Sequence, residues 1–219
     1  MRKLQTLNLG YNSLSGSLPQ LGSQALRFVY LNNNNLTGPL PATIGDAVNL
    51  VYLDLSQNDL QGDIPSELGN CIHLEHLFLG DNYFGGLLPD LGNLKDLAQL
   101  ELQNNPFTPD VVPEWLFKLW SLTDLWMNNT QRTGSMPADI AKFGSLGRID
   151  FGYNHLTGNF PGGWDWGIVF VLQFEFNLFS GLCPSLDGID DTRNCDLSNI
   201  PFSCPLPAGA REICNAYCE

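Results

Sequence analysis

From Leu50 to Pro65 the chain reads L-x-x-L-x-L-x-x-N-x-L-x-G-x-I-P, and this phrase returns about every 24 residues through most of the sequence. A fixed period of that length means that each copy is one supersecondary unit. Such a unit buries its apolar side only against its neighbours, so the copies must stack into a continuous coil. Eight copies align on the Asn slot, at Asn12, Asn34, Asn58, Asn82, Asn105, Thr130, Asn154 and Asn177. The fifth departs from the pattern, with Asp110 where Gly belongs, and the sixth has Thr130 in place of Asn.

Each position of the phrase has a physical task. The L-x-L core alternates with period two, which predicts a short strand with leucines pointing in and the residues between them pointing out. The Asn turns the chain inward, and its amide can satisfy backbone groups of adjacent copies. Thr130 can do only part of this, so a local irregularity is expected there. Gly admits backbone angles closed to other residues and Pro fixes its own φ, and together they steer the return path. The remaining segments, such as Ser66-Glu67-Leu68-Gly69-Asn70, predict short helical turns. Eight strands about 4.8 Å apart make a parallel sheet roughly 35 Å across.

The phrase is the leucine-rich repeat signature, and its G-x-I-P ending resembles the plant-type subclass found in plant receptor ectodomains and in secreted inhibitors of pectin-degrading enzymes. The resemblance implies an α/β solenoid: a right-handed superhelix with a concave parallel β-sheet of about eight short strands and convex loops and 3-10 turns. Repeats are expected over 1–184, and a cysteine-rich cap over 185–219, where the period fails and Asp187 to Asp196 is acidic and irregular. The run Cys204-Pro205-Leu206-Pro207 with Cys214 is similar to the C-terminal cap of plant-type repeat proteins. Five cysteines, Cys183, Cys195, Cys204, Cys214 and Cys218, cluster there and suggest a disulfide-stapled segment from an oxidising compartment. The pairing expected is Cys204 with Cys214 and Cys183 with Cys195, the fifth staying free or pairing with Cys71 or another chain. Cys71 itself reads as a small buried hydrophobe.

The net charge of −13 argues against a nucleic-acid partner or an anionic membrane surface and favours a basic protein or a neutral sugar. No apolar run is long enough for a membrane span. Met1-Arg2-Lys3 passes straight into Leu4 of a repeat, with no signal-peptide core or cap before it. The expectation is an extracellular or cell-surface protein whose start has been trimmed or is missing.

The candidate site is the set of outward strand positions. One slot holds Asn8, Tyr30, Asp54, Phe78, Glu101, Trp126, Asp150 and Gln173, and the slot before it Thr6, Phe28, Tyr52, His76, Gln99, Asp124, Arg148 and Val171. Further along come Asp81, Asn104, Asn128, Tyr153 and Phe176. Aromatics held outside a core are enriched at binding hot spots, and carboxylates among them can orient Lys, Arg or hydroxyl groups. The ligand-binding set expected is Phe28, Tyr30, Tyr52, Asp54, His76, Phe78, Glu101, Asp124, Trp126, Arg148 and Asp150. No catalytic residue, metal or cofactor is expected. His73 and His76 should diverge, and pairs such as Asp54 with Glu75 or Glu101 with Asp124 read as a solvated acidic face. Asn35 and Asn128 head glycosylation sequons. The function expected is a non-enzymatic recognition module binding a protein or peptide through its concave face. The alternatives are an inhibitor of a cell-wall glycosidase (a pectinase) and a polysaccharide-binding protein. Ice binding would want regular columns of small residues such as Thr, which are missing.

Overall fold

The computed structural model describes residues 3–163, 168–185 and 194–218. Nine short strands form one parallel sheet in chain order: Thr6–Asn8, Phe28–Tyr30, Tyr52–Asp54, His76–Phe78, Gln99–Glu101, Asp124–Trp126, Arg148–Asp150, Val171–Gln173 and Asn194–Asp196. The expected L-x-L units supply the first eight. In each, the middle residue points inward, and Val29, Leu53, Leu77, Leu100, Leu125 and Ile149 are fully buried. At the first turn Leu4, Leu9 and Leu14 remain 37–42% exposed.

The ninth strand lies in the stretch expected to be cap. Cys195 pairs with Leu172 in register and takes the inner leucine's place, so the coil runs one strand beyond Pro184. The acidic segment 186–193 lies outside the described residues. The ninth turn and the tail cover the end of the core: Phe174 and Phe202 are fully buried, and Phe174 stacks on Phe151 with ring centroids 5.6 Å apart.

The column of asparagines makes the predicted bonds. Asn58 is typical: its Nδ2 donates to Leu31 O of the preceding turn (3.0 Å) and to Leu55 O of its own (3.1 Å), and its Oδ1 accepts from Leu36 N (3.0 Å). Each bond contributes about 1 kcal/mol net, and a buried carbonyl or amide left alone would cost about 1–3 kcal/mol. At Thr130 the column is interrupted. The hydroxyl donates to Met127 O (2.6 Å), and Phe107 N, which would have found an Asn oxygen, turns instead to Asn105 O (2.9 Å). Arg132 stands two residues on, in a slot that holds Leu60, Phe84 or Leu156 elsewhere. It is 1% exposed, and its guanidinium donates to Thr130 O (3.0 Å) and Thr108 O (2.9 Å) and lies 6.0 Å from the Phe107 ring centroid. The irregularity expected at Thr130 is therefore real, and a buried cation fills it.

The return path contains the expected 3-10 helices, Ala42–Asp46, Ser66–Asn70, Glu114–Lys118 and Ala138–Lys142. It also holds two four-stranded parallel sheets that the repeat phrase did not announce. One joins Ser15–Ser17, Asn35–Gly38, Asp59–Asp63 and Tyr83–Gly85, and the other joins Asp110–Val111, Arg132–Ser135, His155–Asn159 and Leu178–Ser180. They part at the fifth turn. There Asp110 replaces the glycine that adopts positive φ in its neighbours, for example Gly86 at 64° and Gly134 at 71°.

The disulfides are Cys195–Cys214 and Cys204–Cys218, so both expected pairings are corrected. Cys183 is free because it occupies the repeat's own core slot before Pro, where Ile64 and Phe160 sit in other turns; it is 6% exposed. Cys71 is also free and buried, with its Sγ 3.4 Å from Ile44 O. Burial pushes both thiols up to about 11, which makes them packing residues and not nucleophiles.

Candidate functional site

Parallel pairing without a register shift carries every outward residue into a row. Tyr30 lies opposite Asp54, Asp54 opposite Phe78, and Phe78 opposite Glu101. The row continues through Trp126, Asp150, Gln173 and Asp196. The second row runs Thr6, Phe28, Tyr52, His76, Gln99, Asp124, Arg148 and Val171. All eleven expected binding residues stand on this one open face.

The rings of the face are packed on one another and are half-buried. Tyr30 and Tyr52 lie 4.6 Å apart between centroids, Tyr52 and His76 5.2 Å, and Tyr52 and Phe78 5.3 Å edge-on. Phe28 carries Arg27 at 5.6 Å from its centroid. His76 Nδ1 is 2.9 Å from Gln99 Oε1, while His73 Nδ1 lies 3.8 Å from Asp96 Oδ2, so the two histidines have separate partners.

Beyond the aromatic end the face becomes acidic. Arg148 Nη1 meets Asp124 Oδ1 at 2.6 Å, and its guanidinium lies 4.6 Å from the Phe170 ring centroid. Burial opposes ionisation of Asp124, but hydrogen bonds from Thr123, Arg148 and Gln99, with the Arg148 charge, outweigh it and hold this carboxyl below its ordinary value. The other carboxyls are pushed up. Burial raises Asp54 against two hydrogen bonds from Ser56. Burial, then repulsion from Asp54, Asp124 and Asp81, raises Glu101 against a hydrogen bond from Gln103. Asp150 reaches about 7 through burial and the Glu175 charge, against a hydrogen bond from Gly152 N. Burial and the nearby carboxylates and Tyr30 lift Tyr52 to about 12. Carboxylates crowded on one half-buried face with few cations lower their energy most when a cation arrives.

Some contributors escaped the repeat phrase. Gln103 and Glu175 lie one residue past the second inner position, held by Leu102 and Phe174, and fold over Gly80 and Gly152, where any side chain would collide with them. Asn128 belongs to that row and not to the one expected for it; Asn129, which directly precedes the Asn slot at Thr130, takes the row of Asp81, Asn104, Tyr153 and Phe176. Residues of this last row have φ of 53–55°, and Tyr153 and Phe176 stack at 4.6 Å between centroids. Of the sequons, Asn35 is exposed and Asn128 half-buried, with its Thr130 inside the Asn column.

A short-stranded parallel coil, with a buried Asn column, defines a leucine-rich repeat solenoid. The sequence matches the Leucine Rich Repeat family over residues 3–24, 25–47, 49–71 and 73–94, and the chain is a leucine-rich repeat protein of the plant type. It is 44% identical over 142 residues to a leucine-rich repeat receptor-like protein kinase of Arabidopsis thaliana, covering 63% of this chain and 15% of the relative. It is 33% identical over 173 residues to Receptor-like protein 18 of the same plant, covering 78% and 18%. Among solved structures it is similar to the plant peptide hormone receptor RGFR1 in complex with RGF2 (TM-score 0.87, 31% identity, 93% of this chain and 33% of that one). It is also similar to a plant ice-binding protein (TM-score 0.82, 26% identity, 95% and 68%). The chain thus spans less than a quarter of the curated relatives it matches.

Proposed function

We propose that the chain is a non-catalytic recognition module that binds an extended peptide across the open face of its nine-stranded sheet. The observation that carries this reading is the unbroken register, which sets half-buried rings beside crowded carboxylates in two continuous rows. A peptide with basic side chains and apolar anchors meets both ends of that face. The likeness to a peptide hormone receptor supports it. The carboxylates already serve in the face itself, Asp124 with Arg148 and Asp54 with Ser56, which speaks against a glycosidase pair. The outer rows of the short sheets mix Ser17, Thr37 and Asp59, or Val111, Thr133 and His155, which speaks against an ice-binding column. An extracellular or cell-surface place accords with the bridged cap and the receptor-like relatives.

The test is selection from a displayed random peptide library on the immobilised protein. Enrichment of Lys- or Arg-bearing sequences with apolar anchors is expected. Enrichment of acidic peptides, or none above a blank surface, would overturn the reading.

A further inference from the structure

Away from the open face, the indole of Trp120 is held in water. Trp120 is 67% exposed, although Leu119 and Leu122 beside it are fully buried. Its neighbours along the coil follow from the register. Thr123 N donates to Ala98 O (2.8 Å) and Gly147 N to Thr123 O (2.9 Å). Lys95, Trp120 and Gly144 each lie three residues before one of these, so they form a column. On one side the Lys95 ammonium lies 4.8 Å from the indole centroid and donates to Lys118 O (3.0 Å), which fixes it there. On the other side Gly144 supplies no side chain, and a Cβ placed on it would meet nothing within 4 Å among the described residues. The remaining walls of this opening are Phe117, Phe143 and Asp139, the two phenyl rings 5.7 Å apart between centroids.

We propose that this slot binds one ring of a neutral oligosaccharide, at a site separate from the peptide face. A missing side chain between turns stacked about 4.8 Å apart leaves room for a flat ring and for nothing as thick as a helix. The C–H face of a pyranose is apolar and fits against an aromatic face, as in other pockets that pair apolar walls with a few polar groups. Among the described residues Asp139 is the charged group lining the slot and accepts from hydroxyls, while the Lys95 ammonium behind the indole offsets its charge, so the slot suits an uncharged ligand rich in donors. The basic peptide expected on the open face would gain from Asp139 and lose to Lys95.

The experiment is titration of the full chain with cellohexaose, read by saturation-transfer NMR and calorimetry, for wild type, Trp120→Ala and Gly144→Leu. Gly144 is outside the left-handed region, so the leucine enters open space and fills the slot without disturbing the backbone. Wild type should bind, each variant should lose at least tenfold in affinity, and the melting temperature of Gly144→Leu should stay within about 2 °C of wild type. Neither change touches the open face, so peptide binding should be unaltered, and the two proposals fail independently. No transfer to cellohexaose or to mannohexaose with wild type would overturn the assignment, as would equal affinity in all three proteins. Capture of decaproline in place of either sugar, lost in both variants, would reassign the slot to a peptide.

Discussion

Replacing Asp150 by Asn should stabilise the protein at alkaline pH and leave it nearly unchanged in acid. Asp150 is 5% exposed, accepts one hydrogen bond from Gly152 N (2.9 Å), and has the Glu175 carboxylate folded over that same glycine. Burial, with the Glu175 charge, pushes its carboxyl to about 7, whereas an unfolded chain returns it to about 3.9. Between those values the native state binds the proton and the unfolded state does not. Stability contributed at this residue is therefore complete at low pH, falls as pH rises from about 4 to about 7, and is gone above that. A shift of about three units at about 1.4 kcal/mol each sets a ceiling near 4 kcal/mol, and relaxation with water penetration brings it to about 2 kcal/mol. Asn keeps the acceptor for Gly152 N and carries no charge at any pH. Calorimetric melts should place Asp150→Asn about 4–8 °C above wild type at pH 8 and within about 2 °C at pH 4. A variant melting below wild type at pH 8, or one shifted equally at both pH values, would refute the reasoning.

Two further outcomes follow from the fold. Thr130→Asn restores the interrupted column, adding a second amide donor to Leu102 O beside that of Asn105 and returning to Phe107 N the side-chain acceptor found in other turns; it should stabilise by about 1 kcal/mol, seen as a rise of about 2–4 °C in the melt. A melt below wild type would mean that the buried Arg132 requires the threonine. Reduction of the cap should destabilise by about 3 kcal/mol for each bridge, given closed loops of 19 and 14 residues. Cys183→Ala should retain that response in full, whereas a Cys183→Ala protein indifferent to reductant would place Cys183 in a bridge.

The open face was legible because a strict period fixes register. Once Leu53 and Leu77 are aligned, Asp54 and Phe78 can only be neighbours, and the structure puts them there. The weakness at Thr130 was legible for the same reason, since a hydroxyl cannot make an amide's bonds. The ninth strand was hidden because Cys195 replaces its leucine and Ile200 its asparagine, which erases the phrase. The short sheets were hidden because their pairing is between backbones and leaves little side-chain alternation; Asn35–Gly38 has a single inward residue, Leu36. The bridges were misassigned because the cysteine cluster was given more weight than the period, which sets Cys183 before Pro184 as Ile64 stands before Pro65 and so makes it a core residue. Trp120 became interesting only when the register set it between Lys95 and Gly144.

Most direct is the dissociation constant of a selected peptide for wild type and for the triple variant Tyr30→Ala, Phe78→Ala, Trp126→Ala, measured by calorimetry beside a melt. The rings support one another, so the melt should drop by several degrees, each lost ring pair being worth about 0.5–1.5 kcal/mol. Affinity should fall at least a hundredfold in protein that is still folded at 25 °C. An unchanged dissociation constant in the folded triple variant would contradict the claim that the peptide lies on the open face.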